Sequence, residues 1–276
     1  MSSKTRPVEV LKVFAFSSPE GGGNPAGVAL DADGLSQEEM QKIAADVGLS
    51  ETAFVSRSRA AGFRLDFFTP TRKIPDCGHA TVAAFAVLKQ RDPGLTNTSK
   101  EIDGGVRKIL LEGSNVFMEQ PVPTIGPLDD DASLYERLFR SPTGFKGGWI
   151  VRHDVGFAVF ELDSVSTLAA IEPDFEAIRH YSEKHDLVGA YLFVRLARGP
   201  LAATTRMFAP AYGIPEESAT GMAAGLLAAL MSAPSQRLEL TIEQGRHMNP
   251  PSPSLIFCRV RRDEDRVLVG GAARLA

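Results

Sequence analysis

The chain repeats itself. Residues 68–84, Phe-Thr-Pro-Thr-Arg-Lys-Ile-Pro-Asp-Cys-Gly-His-Ala-Thr-Val-Ala-Ala, align without a gap on 208–224, Phe-Ala-Pro-Ala-Tyr-Gly-Ile-Pro-Glu-Glu-Ser-Ala-Thr-Gly-Met-Ala-Ala. Six of the seventeen positions are identical, where average residue frequencies give about one, so the match marks a duplicated unit. Upstream, Glu51-Thr-Ala-Phe-Val-Ser-Arg lines up with Ala190-Tyr-Leu-Phe-Val-Arg, and a helix-like stretch precedes each. Two copies of one unit are expected to fold as two similar halves.

Local patterns say what the unit contains. Residues 8–16 alternate and are rich in branched and aromatic side chains, as a strand is, before a Gly- and Pro-rich turn leads to a second strand at 27–30. Ser36, Glu38 and Glu39 ahead of Met40, Ile43 and Val47 predict a capped amphipathic helix that stops at Gly48. Strands follow at 52–57 and 63–68, and 79–88 is almost wholly small or apolar, a composition that suits a helix covered on every side. Strands curled around such a helix would cover it. The expected fold class is therefore α+β: two pseudo-symmetric halves, each a curled, mainly antiparallel sheet around a central apolar helix. One half is expected to comprise 1–120 with 262–276 and to carry Glu51 and His79; the other, 121–261, carries Glu217. The Pro- and Gly-rich run from Pro121, followed by Asp129-Asp-Asp, is read as the solvated join.

Composition excludes several function classes. The chain is 43% hydrophobic and 23% charged, as ordinary globular proteins are, and its net charge of −4 with scattered Lys and Arg offers no basic face for nucleic acid. No apolar run reaches the roughly 20 residues of a membrane span, and no signal-length apolar segment follows the N-terminus. A cytoplasmic protein without nucleic-acid or membrane partners is expected. Cys77 and Cys258 are too few for a disulfide framework and are read as reduced thiols, Cys258 as a small buried strand residue.

The chemistry lies in what the two copies do not share. Each apolar helix is entered through a tight polar turn: Cys77-Gly78-His79-Ala80-Thr81 in the first copy, Ser218-Ala219-Thr220-Gly221 in the second. Free N–H groups at a helix start suit an anion, although Ser and Thr there also serve simply as caps. Glu51 is matched by Ala190, Cys77 by Glu217 and His79 by Ala219, so the acid/base groups are unequally divided. Converging on one cleft between the halves, they would remove a proton from one carbon and return it to another. Glu51 follows Gly48-Leu49-Ser50 and opens a strand, where partial desolvation would raise its pKa. Cys77-Gly-His lacks the second Cys/His cluster of a four-ligand metal site, and Gly21-Gly-Gly-Asn lies between strands, unlike a phosphate loop. No metal and no cofactor are expected. A racemase or epimerase using Cys77 and Glu217 as opposing bases, and a non-catalytic ligand-binding protein on the same scaffold, remain as alternatives.

Several segments together resemble the phenazine-biosynthesis PhzF-like family. They are Gly23-Asn-Pro-Ala-Gly-Val, Leu49-Ser-Glu-Thr-Ala-Phe-Val, the 68–81 turn with its Cys-Gly-His-Ala-Thr, Arg206-Met-Phe-Ala-Pro, Gly213-Ile-Pro-Glu, Ala219-Thr-Gly and Glu243-Gln-Gly-Arg, in that order over nearly the whole chain. The resemblance implies a diaminopimelate epimerase-like fold, a homodimer, and a proton shuttle on a small carboxylate-bearing substrate without cofactor. It assigns the shuttle to Glu51 and assisting parts to His79 and Glu217. It gives substrate carboxylate binding to Gly78 and the Thr220-Gly221 turn, and places Asn24 in the cleft lining. The family's usual Glu-Asp-Pro-Ala-Thr-Gly-Ser reads Glu216-Glu-Ser-Ala-Thr-Gly-Met here. Glu217 is thus a methylene longer, Ser218 replaces Pro, and Met222 exchanges a hydroxyl for apolar volume beside the substrate.

Overall fold

The structure, a computed structural model, describes residues 8–128, 131–141, 143–233 and 237–276; Asp129 and Asp130 of the expected join lie outside them. The chain forms two compact units: one runs to Ser17, then takes in Asn24–Met118 and Gly271–Ala276, and the other comprises Ser18–Gly23 with Glu119–Gly270. Residues 18–23, 119–120 and 262–270, expected in the first half, thus group with the second.

The first unit holds β1 (Leu11–Ala15), β2 (Asn24–Ala29), α1 (Gln37–Val47), β3 (Thr52–Ser56), β4 (Phe63–Phe68), β5 (Lys73–Ile74), α2 (Gly78–Arg91), β6 (Thr98–Ile102), β7 (Gly105–Glu112) and the start of β8 (Asn115–Pro121). Its strands pair mainly antiparallel, with β2–β3 and β4–β6 parallel. The C-terminal residues return to pair with β1, Val13 opposite Leu275. Helix α1 begins and ends as its sequence predicts. The Ser36 hydroxyl accepts from the Glu39 N–H, the Glu39 carboxylate accepts from the Ser36 N–H, and Gly48 closes the helix in the left-handed conformation. Helix α2 buries His79 to Phe85 and Val87, with no polar face left over, and packs on β1, β2 and β3.

The second unit holds β9 (Thr124–Pro127), α3 (Asp131–Phe139), β10 (Phe145–Arg152), β11 (Gly156–Leu162), α4 (Val165–Ala169), α5 (Phe175–Lys184), β12 (Gly189–Arg195), β13 (Ala203–Phe208), α6 (Gly221–Met231), β14 (Arg237–Gln244), β15 (Ser254–Arg261) and the first half of β16 (Arg266–Leu275). Pairings β11–β12 parallel, β12–β13 antiparallel, β13–β14 parallel, β14–β15 and β15–β16 antiparallel repeat, in order, the β2–β3, β3–β4, β4–β6, β6–β7 and β7–β8 pairings of the first unit. Helix α6, built of Gly, Ala, Leu and Met, packs on β10 and β15 as α2 packs on its own strands. The duplication read from seventeen residues is thus a duplication of topology.

Strand register corrects one correspondence. Phe68 faces Thr52, and Phe208 faces Ala190. Because Phe68 and Phe208 are partners in the repeat, Thr52 corresponds to Ala190, and Glu51 to Gly189 rather than to Ala190. A Cβ at Gly189 would stand 2.0 Å from the Phe208 carbonyl oxygen, so the second copy has no room there for any side chain.

Candidate active site

Glu51 sits immediately before β3, where its carbonyl accepts from the Gly27 N–H at 2.9 Å and fixes its place beside β2. Cys77 flanks α2 and Gly78 and His79 open it, where the Pro-rich entry delivers them into the same unit. The His79 Nε2 atom lies 3.1 Å from Glu51 Oε2, and the side chains are 5% and 9% exposed, so the pair is withdrawn from bulk water. On its other edge, His79 Nδ1 is 3.5 Å from Cys77 Sγ. Acid, imidazole and thiol therefore form a row, with the ring in the middle.

Their charges are coupled. Burial pushes the Glu51 carboxyl up, as the sequence suggested. The close His79 ring, with help from Ser50, outweighs burial and leaves Glu51 below its ordinary value. Burial pushes the His79 imidazolium down, but Cys77 and Glu51 pull it well above its usual range. Burial also raises the Cys77 thiol, which keeps it protonated, so we assign the support of charged His79 to Glu51. The shifts favour a Glu51 carboxylate facing the imidazole on one edge and a neutral Cys77 thiol on the other.

The donor atoms of Glu51, Cys77 and His79 lie within 4.8 Å of one another, close enough for a metal ion to be considered. A single ion would use one ring nitrogen and gather the other two donors on that side. Here Nδ1 faces the sulfur and Nε2 faces the carboxylate, so the ring bridges its neighbours instead of converging with them. The geometry suits proton handling better than coordination.

Glu217, Ser218, Thr220, Gly221 and Met222 come together in the second unit, at the entry to α6. The Thr220 hydroxyl donates to the Glu217 carboxylate, and the Glu217 N–H donates to the Met207 carbonyl at 3.1 Å. Ser218 donates to the Gly23 carbonyl at 3.2 Å, and the Met222 carbonyl accepts from Gln120 at 3.4 Å. One residue missed by the sequence reading organises this turn. Gln244, fully buried at the end of β14, accepts from the Thr220 N–H (3.2 Å) and donates to the Glu217 carbonyl (2.7 Å) and the Thr220 hydroxyl (3.1 Å). Its signal was a polar residue in Glu243-Gln-Gly-Arg at the end of an otherwise strand-like run. Gly245 beside it has φ +83°, and a Cβ there would lie 2.2 Å from the Ser252 carbonyl, so only glycine lets the chain turn. Asn24 and Gly78 belong to the first unit: Asn24 is buried at the start of β2 opposite Ala15, and Gly78 is half-buried as the first residue of α2.

The fold is that of the two-domain α+β proteins built from a duplicated unit, with a buried carboxylate/imidazole pair at one helix start. The chain belongs to the phenazine biosynthesis-like protein family, whose profile matches residues 13–276, and it is an isomerase, as its named relatives are. An uncharacterized isomerase of Deinococcus radiodurans is 34% identical over 95% of this chain and 91% of its own length. The trans-2,3-dihydro-3-hydroxyanthranilate isomerase of Pseudomonas chlororaphis is 34% identical over 92% of this chain and 91% of its own. Among solved structures, the PhzF-family protein of Bacillus anthracis superposes with TM-score 0.87 over 98% of this chain and 97% of its own at 22% identity, which speaks for the fold. A hydroxyproline epimerase of Agrobacterium vitis shares the fold more distantly, with TM-score 0.62 at 10% identity over 97% of this chain and 88% of its own. Among the described residues, no helix is long and apolar enough to cross a membrane.

Proposed function

We propose that this isomerase moves a proton between two carbons of a small carboxylate-bearing molecule without a cofactor, with Glu51 as the group that takes and returns it. The buried Glu51–His79 pair at 3.1 Å carries the reading. An ionised carboxylate is ready to accept a proton from an activated C–H, whose electron pair moves into the conjugated substrate. His79, held protonated, stabilises the negative charge that develops. A carboxyl whose pKa lies below its ordinary value gives its proton back readily, and the second carbon receives it. Glu217 is assigned the assisting carboxylate, and Gly78 with Thr220-Gly221 the anchoring of the substrate carboxylate, on the strength of the family resemblance.

Relatives 34% and 33% identical act, by their names, on trans-2,3-dihydro-3-hydroxyanthranilate, so that compound is the first to test. Incubated with the protein in deuterated water, it is expected to gain deuterium at carbon, and Glu51→Gln is expected to slow the exchange by about 10²–10⁴-fold, the usual worth of a positioned acid/base. Exchange at the wild-type rate in Glu51→Gln overturns the assignment. Binding without exchange by the wild type favours a ligand-binding role.

The racemase reading needs Cys77 as a base, and burial of its thiol works against the required thiolate. Cys77→Ala is therefore expected to cost less than about tenfold, far less than Glu51→Gln. Equal losses would favour the racemase.

A further inference from the structure

Lys100 is 1% exposed, in the middle of β6, and the proton chemistry above makes no use of it. A buried ammonium is costly unless it is fully partnered, and an apolar side chain of similar size commonly serves a fold as well or better. Its partners are specific. The Lys100 Nζ donates to Thr81 Oγ1 at 2.8 Å, is ion-paired with the Asp76 carboxylate, and stands 5.3 Å from the centre of the Phe67 ring. Two acceptors and a ring face account for the three directions in which an ammonium donates.

Both polar partners hold the same residue. Asp76 Oδ1 accepts from the Cys77 N–H at 2.7 Å, and Thr81 Oγ1 donates to the Cys77 carbonyl at 2.7 Å. The N–H and C=O of Cys77 are thus each gripped by a side chain that Lys100 itself grips. Cys77, the residue flanking the start of α2, makes no side-chain cap bond, and it is held instead through its own backbone N–H and C=O. Two residues on, His79 reaches Glu51, with the Cys77 sulfur against its other edge.

We infer that Lys100 is a positioning residue: from outside the reacting groups, it fixes the 76–81 turn so that His79 is held on Glu51. The inference rests on Glu51 and His79 being the acid/base pair, and it is tested so that each idea fails separately.

Lys100→Met, Thr81→Val and the double variant Lys100→Met/Asp76→Asn are made in the full chain. The titration of His79 is followed by ¹⁵N imidazole resonances in the substrate-free protein, with the signal assigned by its loss in His79→Asn. Positioning predicts that the His79 midpoint falls by about one unit or more in Lys100→Met, a tenfold weakening of its hold on the proton. With trans-2,3-dihydro-3-hydroxyanthranilate, kcat is expected to fall by about 10²-fold, as for a misplacement near 1 Å, while KM changes little. The double variant, which leaves no lone charge, is expected to regain thermal stability but neither the midpoint nor kcat. Thr81→Val, which removes no charge and serves if Lys100→Met does not fold, should move both in the same direction to a smaller extent.

An unchanged His79 midpoint in Lys100→Met and Thr81→Val overturns the proposal. So does a double variant with wild-type midpoint and kcat, since Lys100 would then only neutralise Asp76. A shifted midpoint in a protein that turns over no substrate would leave the positioning intact and sink the proposed reaction instead.

Discussion

Glu51 and His79 each set the charge of the other, and the consequence is a pH window. The folded-state pKa of Glu51 is lowered, so its contribution to stability is present above the ordinary carboxylate value and is lost as pH falls through the lowered one. The folded-state pKa of His79 is raised, so its contribution is complete below about 6.5 and is lost as pH rises through the raised value. Activity is expected to follow the same bounds, with a plateau between them and a fall on either side. In His79→Asn the alkaline fall should disappear and the acid limb should move up, because only Ser50 would then oppose the effect of burial on Glu51; a pH–rate profile of kcat/KM reads both changes. Thermal unfolding of Glu51→Gln at several pH values should lose this pair's share of the pH dependence. Glu51 was legible in the sequence through its motif and its uniqueness to one copy. The direction of its pKa was not, because the sequence points to burial but not to an ion pair with a residue 28 positions away.

At the level of elements, the two helix starts carry the polar turns to which the proposed function is assigned. An added Cβ at Gly78 would meet only the Met118 methyl, at an ordinary 3.5 Å, and Gly78 has no left-handed φ to require glycine. The fold therefore tolerates Gly78→Ala, and thermal stability should change by less than about 1 kcal/mol, since alanine is the better helix former. If this turn receives the substrate carboxylate, KM should rise by tenfold or more; an unchanged KM would remove Gly78 from the binding surface. Element identity was largely readable. Helix α1 announced both its ends through Ser36, Glu39 and Gly48, and α2 announced its burial through an all-round apolar composition. Register was not readable. Residues 189–194 of β12 and 52–55 of β3 are all buried, so both faces are covered and the alternation that normally fixes register is missing. The shared Phe-Val pair then drew the two strands into an alignment one residue out of step.

For the molecule as a whole, the segment 18–23 shows what sequence patterns leave out. Its place in the second unit is set by partners some 200 residues or more distant: Ser218 and Ser252 donate to the Gly23 carbonyl, and Arg246 pairs with Glu20. A Gly-rich stretch carries no apolar pattern from which such contacts could be read. The repeat, by contrast, revealed the architecture because identical turns recur around it. Its most exacting position is Gly189. Gly189→Ala is expected to destabilise the protein by more than about 4 kcal/mol or to prevent folding, because the new Cβ would meet backbone and not a yielding side chain; denaturant unfolding measures it, and a wild-type midpoint would show that the strand pair can shift. Gly189 also sets the terms on which the two copies can diverge. No single residue exchange can give the second copy an acid where the first has Glu51, since the strand beneath would have to move before any side chain could enter. The difference between the copies at this position works as a ratchet: it is written into the backbone, and reversing it would require rebuilding a strand pair.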